Sequence, residues 1–192
     1  MTLTESSPTP QAANGDRSPD VGTDLRVRAA TADDAEQLHA ILDSPHVLDG
    51  TMRIPHSTVE STWESLRPNT DQRLLVAVDR SDRVVGLLVL VTHLGAPRFH
   101  HVAHIDLVAT HPAHQGRGAA GLLINTVIEM AEQWMAIERL ELIVFTGNVG
   151  AARLYERLGF RVEGTMEHYG FARGRYVDAH VMARLTSRPA AR

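Results

Sequence analysis

The chain contains no cysteine among its 192 residues, so it can form no disulfide, offer no thiol nucleophile and build no thiolate metal site. Lysine is absent as well, and all 19 basic residues are arginine, a usage that coding bias toward Arg and Ala accounts for. That absence excludes a Schiff-base amine and the phosphate-gripping lysine of a Walker-type loop. Long apolar runs are also missing. The longest, Val84 to Val91 with Gly86 inside it, falls far short of the roughly 20 residues of a membrane span. A formal net charge of -4 leaves no basic surplus to draw nucleic acid or anionic lipid.

What is present suits one globular domain. Hydrophobic residues make up 43% of the chain and charged residues 22%, enough for a core inside an ordinary polar surface. Residues 1–22 are rich in Ser, Thr, Pro, Gly and Ala and read as a disordered leader. They lack the basic start and apolar stretch of a signal peptide, so the expected location is cytoplasmic. The folded domain is expected over 23–186, with a flexible tail at 187–192.

Within the domain, DLRVRAA alternates as a half-buried strand, and Thr31 caps a helix with Ala35, Leu38, Ile41 and Leu42 at helical spacing. A Pro/Gly-punctuated loop is expected over Ser44 to Ser57, then a short helix near Thr58 to Leu66. Two strands meet at a tight turn at Ser81-Asp82, and a fourth strand, HHVAHIDLVAT, follows. A helix over Gly118 to Ala136, the strand RLELIVF, the helix in NVGAARLYERLGF and a final strand pair complete the order β-α-α-β-β-β-α-β-α-β-β. This predicts an α/β (mixed α+β) fold: one twisted, mixed, mostly antiparallel sheet of about seven strands with four helices.

The segment HPAHQGRGAAGLL (111–123) contains Gly116, Gly118 and Gly121 at the spacing of a dinucleotide fingerprint. The context disagrees with that reading. The glycines should follow the first strand almost at once, yet His111 to Gln115 intervene and the loop comes after residue 110. The next strand also ends in Phe145-Thr146-Gly147, without the acid that would hold a ribose. Another pattern fits: Gln115-Gly116-Arg117-Gly118-Ala119-Ala120, introduced by Pro112. Here small residues let successive backbone N–H groups face one pyrophosphate at a helix N-terminus. Gly121 then reads as a close-packing position on the helix. Downstream, Asn148, Ala151 and Tyr155 fall at i, i+3 and i+7 on one helix face, followed by Gly159 and Phe160.

Together these features resemble the GNAT superfamily of acyl-CoA-dependent N-acetyltransferases over about residues 24 to 186. The segments TMRIPH and EGTMEHYGFARGRYVDAHVMARL are similar to a bacterial subgroup that includes L-amino-acid N-acetyltransferases. The resemblance implies acetyl-CoA as cosubstrate and direct attack by a neutral amine, a route suited to a chain without Cys or Lys. It implies that a bulge splays the fourth strand from the fifth, exposing backbone at Val108, Ala109 and Thr110 to the pantetheine arm. Gln115, Gly116, Arg117, Gly118, Ala119 and Ala120 would cradle the pyrophosphate, with Arg117 offsetting the family's Arg that Gln115 replaces. Asn148 would bond the pantetheine or nearby backbone beside Ala151, and Tyr155 stands where the family's general acid stands. A core tyrosine whose hydroxyl caps a backbone group is the plainer alternative.

For a base, His104, Asp106 and Glu141 are candidates, although each taken singly reads more readily as a structural or solvated group. Arg53, or Arg173 in the hairpin that also carries Tyr169, Tyr176 and Asp178, is a candidate clamp for a substrate carboxylate. Either one alone reads more readily as a solvated surface residue. Six histidines (93, 100, 101, 104, 111 and 114) crowd a short span, but no carboxylate recurs at ligand spacing and no metal is expected. The expected partner is a small primary amine, a free amino acid first, with no nucleic acid and no membrane. A homodimer is implied by the resemblance alone. Protein N-terminal, ribosomal-protein, antibiotic or herbicide acetylation and a non-catalytic acyl-CoA-binding module remain open.

Overall fold

A computed structural model describes residues 24–186, so the leader at 1–22 and the tail at 187–192 lie outside the described residues. Seven strands form one sheet in the order β1-β2-β3-β4-β5-β7-β6. They are β1 (Arg26–Ala29), β2 (Gln72–Val78), β3 (Val84–Thr92), β4 (Val102–Thr110), β5 (Arg139–Phe145), β6 (Arg161–Ala172) and β7 (Arg175–Leu185). Every neighbouring pair is antiparallel except β4 and β5. Those two are joined by a crossover helix, the connection that a parallel pair requires.

The helices are α1 (Ala35–Leu42), α2 (Pro45–Gly50), α3 (Val59–Leu66), α4 (Ala119–Gln133) and α5 (Val149–Arg157). Helix α2 replaces part of the loop expected at 44–57. Pro45 takes the first helical position, where its missing N–H costs nothing, and Val47 is buried beneath it. No helix among the described residues is long and apolar enough to cross a membrane.

The strong apolar run of β3 follows from burial on both faces. On one face Leu75, Ala77, Leu88 and Leu90 pack with Leu123, Val127 and Tyr155 of α4 and α5. On the other, Leu74, Val76, Val78, Leu87 and Val89 pack with Leu38, Ile41 and Leu66 of α1 and α3. A strand covered twice reads as continuous rather than alternating hydrophobicity. At the edge of this core Asp34 accepts both Arg28 guanidinium nitrogens at 2.7 and 2.8 Å and the Thr31 N–H at 2.8 Å.

The feature that shapes the site is a bulge. Val89 pairs with Leu107 but Leu90 pairs with Ile105, so Asp106 is the extra residue in β4. Beyond it β4 and β5 part: their pairing covers only Val102–Ile105 against Arg139–Leu142. The bulge lies two residues before the Val108–Thr110 segment to which the resemblance assigned exposed backbone.

Candidate active site

The opening between the splayed ends of β4 and β5 widens into a cavity of about 880 Å³. One wall is β4 from His104 to Thr110, and the facing wall is Ile143 to Phe145 of β5 with Asn148, Ala151 and Tyr155. The expected backbone residues Val108, Ala109 and Thr110 all line it. The Thr110 carbonyl accepts from His46 Nε2 at 3.0 Å, so α2 is tied to the end of β4 by a residue 64 positions away.

The glycine loop closes one end. Gly116 and Gly118 have φ of 71° and 89°, left-handed conformations that a Cβ would strain. The first intrahelical bond of α4 runs from the Leu122 N–H to the Gly118 carbonyl, at 2.9 Å. The N–H groups of Ala119, Ala120 and Gly121 therefore have no intrahelical partner, and all three residues line the cavity with Gln115, Gly116 and Gly118. This set of donors and the positive end of the α4 dipole fit a pyrophosphate.

Two expectations for the loop change. Arg117, between the two left-handed glycines, lines a separate hollow of about 360 Å³ with Asp24, Leu25, Asp79, Arg80, Ser81 and His114. It is not among the main cavity's lining residues. Gly121 is not a close-packing position: a Cβ built there would meet only Leu154 Cδ1, at an ordinary 3.9 Å. His114 lines both hollows, and its buried Nδ1 has no hydrogen-bond partner among the described residues. Burial, then the charge of Arg117, holds its pKa below the usual histidine range.

Asn148 is the N-cap of α5: its Oδ1 accepts the Ala151 N–H at 3.3 Å. Its side chain also rests against Gly50, where a Cβ would lie 3.2 Å from Nδ2. Tyr155 is buried at 8% exposure, with its ring edge-on to Phe160 at 5.9 Å. Among the described residues its hydroxyl caps no backbone group, although its ring belongs to the buried core. Burial pushes its pKa up to about 12, so the hydroxyl keeps its proton at any physiological pH.

The base candidates separate. His104 and Asp106 line the cavity, whereas Glu141 does not. Glu141 accepts from Arg139 Nε at 2.9 Å, and Arg139 in turn donates to Glu163 at 2.9 Å. The His104 ring stands 4.0 Å from the Glu141 carboxylate.

The arginines separate too. Arg173 is bound by Asp49 through two contacts, at 2.5 and 3.2 Å. Arg53 lines the cavity, donates to the buried Thr62 hydroxyl at 3.3 Å, and pairs with no carboxylate among the described residues. Burial lowers its pKa, the mark of a cation partly stripped of water. Of the hairpin candidates, Tyr169 lines the cavity and packs edge-on to Phe145 at 6.4 Å. Asp178 instead accepts the His168 N–H, and exposed Tyr176 stacks on the His168 ring. The six clustered histidines disperse: His93 and His101 pack against Phe99, His100 sits edge-on to His101, His104 lines the cavity, and His111 and His114 pack together. Sequence reasoning missed His46 and Gly50, both from α2, because neither carries a local signal.

Residues 36–160 match the model of the Acetyltransferase (GNAT) family. The chain is 34% identical over 163 residues to the L-amino acid N-acetyltransferase AaaT of Escherichia coli, covering 85% of this chain and 99% of that protein. It is 26% identical over 172 residues to the spermidine N(1)-acetyltransferase of Vibrio cholerae, covering 88% and 96%. A crystal structure of spermidine N-acetyltransferase from Vibrio cholerae in complex with CoA and spermine superposes with a TM-score of 0.75 at 26% identity, over 85% of this chain and 96% of that one.

Proposed function

Because the chain belongs to the GNAT family of acetyl-CoA-using N-acetyltransferases, we propose that its acceptor is a free L-amino acid, bound through its carboxylate to Arg53. The observation that carries this reading is that Arg53 is an unpaired, half-buried cation in the cavity wall, while its rival Arg173 is held by Asp49. An unpaired cation in partly dehydrated surroundings gains most from a planar carboxylate that accepts two parallel hydrogen bonds. Met52, Phe145 and Tyr169 line the cavity alongside it and offer the acceptor side chain an apolar wall.

A polyamine acceptor fits less well. The one carboxylate lining the cavity is Asp106, so a polycation would find a single anionic partner there, and Arg53 would repel it.

Acetyl-CoA supplies the acetyl thioester. In this reading Gln115, Gly116, Gly118, Ala119 and Ala120 hold the pyrophosphate on backbone N–H groups. Val108, Ala109 and Thr110 present main chain to the pantetheine, and Asn148 keeps α5 in place by capping it. Tyr155 holds a proton at Oη for the departing sulfur. His104 and Asp106 are the groups placed to take the proton from the acceptor ammonium, directly or through water.

The test is a turnover panel in which each amino acid is compared with its decarboxylated amine. The amino acid should win in kcat/KM by about 10²-fold, the worth of two charge-assisted hydrogen bonds. Arg53→Gln should abolish that preference while leaving the decarboxylated amine's rate unchanged. A preference for spermidine, or an unaltered preference in Arg53→Gln, would overturn the assignment.

A further inference from the structure

Thr62 lies on the face of α3 that also buries Leu66, and it is fully enclosed at 0% exposure. A valine would fill that place with the same shape, so the hydroxyl is what distinguishes the residue. It meets polar groups from two other parts of the chain: His39 Nδ1 of α1 at 3.0 Å and Arg53 Nη2 of the loop after α2 at 3.3 Å, with Ser57 Oγ of that loop at 3.5 Å. The donor inventory sets the direction of these bonds. A guanidinium only donates, so Thr62 Oγ1 accepts from Arg53. The one hydroxyl proton is then left for His39 Nδ1, which accepts it and carries its own hydrogen on Nε2. Were His39 to donate as well, the buried proton would have only Ser57, at the limit of a hydrogen bond.

We propose that Thr62, aligned by His39, is the positioning residue of the carboxylate clamp, holding the Arg53 guanidinium at the cavity wall and away from Asp43. The proposal rests on the amino-acid reading above. Arg53 stands on a loop, and a long side chain that is already held loses less freedom when its anion arrives. Thr62 uses a single guanidinium N–H, which leaves parallel donors for a carboxylate. The competitor is close by. Asp43 ends α1 one turn beyond His39, and its charge reaches Arg53, although no ion pair joins the two among the described residues. Released from Thr62, Arg53 would turn to Asp43 and be occupied as Arg173 is by Asp49. Helices α1 and α3 thus act on the acceptor through Arg53 without lining its contact.

Steady-state kinetics on the whole chain test this, with an amino acid measured beside its decarboxylated amine. Thr62→Val should raise the KM for the amino acid about tenfold with kcat held, the effect of one hydrogen bond to a charged group, and the rise should be absent for the amine. Thr62→Ser, which keeps the hydroxyl, should restore the wild-type KM. His39→Ala should raise KM by only about threefold, since Thr62 still accepts from Arg53. Adding Asp43→Asn to Thr62→Val should recover part of the preference, and no recovery overturns the role given to Asp43. In an Arg53→Gln background Thr62→Val should change nothing further, as two residues acting through one contact require. A wild-type KM in Thr62→Val overturns the proposal. So does a rise shared equally by the amine, or one that persists in Arg53→Gln, since either marks a merely structural role. CoA affinity at the wild-type value, read by calorimetry, shows that Thr62→Val is folded. If Arg53→Gln leaves the amino-acid preference intact, the amino-acid reading falls and this proposal with it. If Arg53→Gln abolishes the preference and Thr62→Val does not lower it, this proposal alone falls.

Discussion

Replacing Tyr155 with Phe removes one oxygen and leaves the ring's packing against Phe160 and the core in place. In the wild type that oxygen has no protein hydrogen-bond partner among the described residues, and the side chain is 8% exposed. In the proposed chemistry the hydroxyl has a single task, donating to the departing sulfur. A hydrogen bond to a charged acceptor is worth about 1.5–3 kcal/mol, or roughly 10- to 150-fold in rate, and positioned general acids contribute about 10²–10⁴-fold. Full proton transfer from a phenol near 12 to a thiolate near 8.5 is uphill, so the lower part of that range applies. Tyr155→Phe should therefore lose about 10²-fold in kcat, with the KM for acetyl-CoA little changed. Thiol release under saturating acceptor measures it.

Stability separates this role from a structural one. A hydroxyl capping a buried backbone group would cost about 1–3 kcal/mol when removed. Tyr155→Phe should instead melt at the wild-type temperature or slightly above. The alkaline side gives a second check. Because the folded pKa is raised, the neutral phenol favours the folded state at all pH values below the unfolded value of about 10. That contribution fades as pH rises from there through about 12, and the Phe variant should lack this decline. A wild-type rate in Tyr155→Phe, or a clear fall in its melting temperature, would refute the assignment.

Removing the Asp34 charge with Asp34→Asn should destabilise the fold by about 1–3 kcal/mol, since it leaves the half-buried Arg28 with only the exposed Asp82 as a carboxylate partner; chemical denaturation reads this. Arg28 holds the Asp34 carboxyl below its usual range, so the pair's stabilisation is full above about pH 4 and is lost as pH falls further, a loss the Asn variant should not show. Gly118→Ala forces a side chain into φ of 89° and should cost about 1–2 kcal/mol or displace the loop, seen as weaker CoA binding by calorimetry. His104→Ala should lower kcat/KM at neutral pH and recover toward the wild-type value at alkaline pH, where the acceptor amine is already neutral; a loss constant with pH would make Asp106 or water the base.

The parts of this molecule that were legible in its sequence are those whose constraints are local. Gly116 and Gly118 announce left-handed backbone by their identity, and the structure has it at both. Asn148, Ala151 and Tyr155 share a face through helical periodicity alone, and the seven strands follow from runs of apolar residues between turns. Helix α2 escaped because six residues are too few for periodicity to register, and tertiary contact through Val47 holds it in place rather than propensity. The direction of Arg117 also escaped. A motif names the residues of a loop but not which of their side chains faces the ligand, and left-handed glycines on both sides reorient the one between them.

The division of labour between Arg53 and Arg173 shows most clearly what sequence reasoning lacks. Both lie in segments that resemble acceptor-site elements, and nothing within either segment ranks one above the other. The difference is made by Asp49, which stands 124 positions from Arg173 and meets it when the β6–β7 hairpin folds back against α2. An exposed pair of that kind is worth at most about 1 kcal/mol in stability, so its main consequence is chemical. By occupying Arg173 it leaves Arg53 as the acceptor-segment arginine without a carboxylate contact among the described residues. Arg53 has Thr62 as a hydrogen-bond acceptor and no carboxylate in direct contact among the described residues, and burial lowers its pKa although the charge of Asp43 partly opposes this. Under the proposed function, specificity for a carboxylate would follow from a pairing elsewhere on the rim, and a search for acceptor specificity in related chains should ask which arginine is already taken before asking which is present.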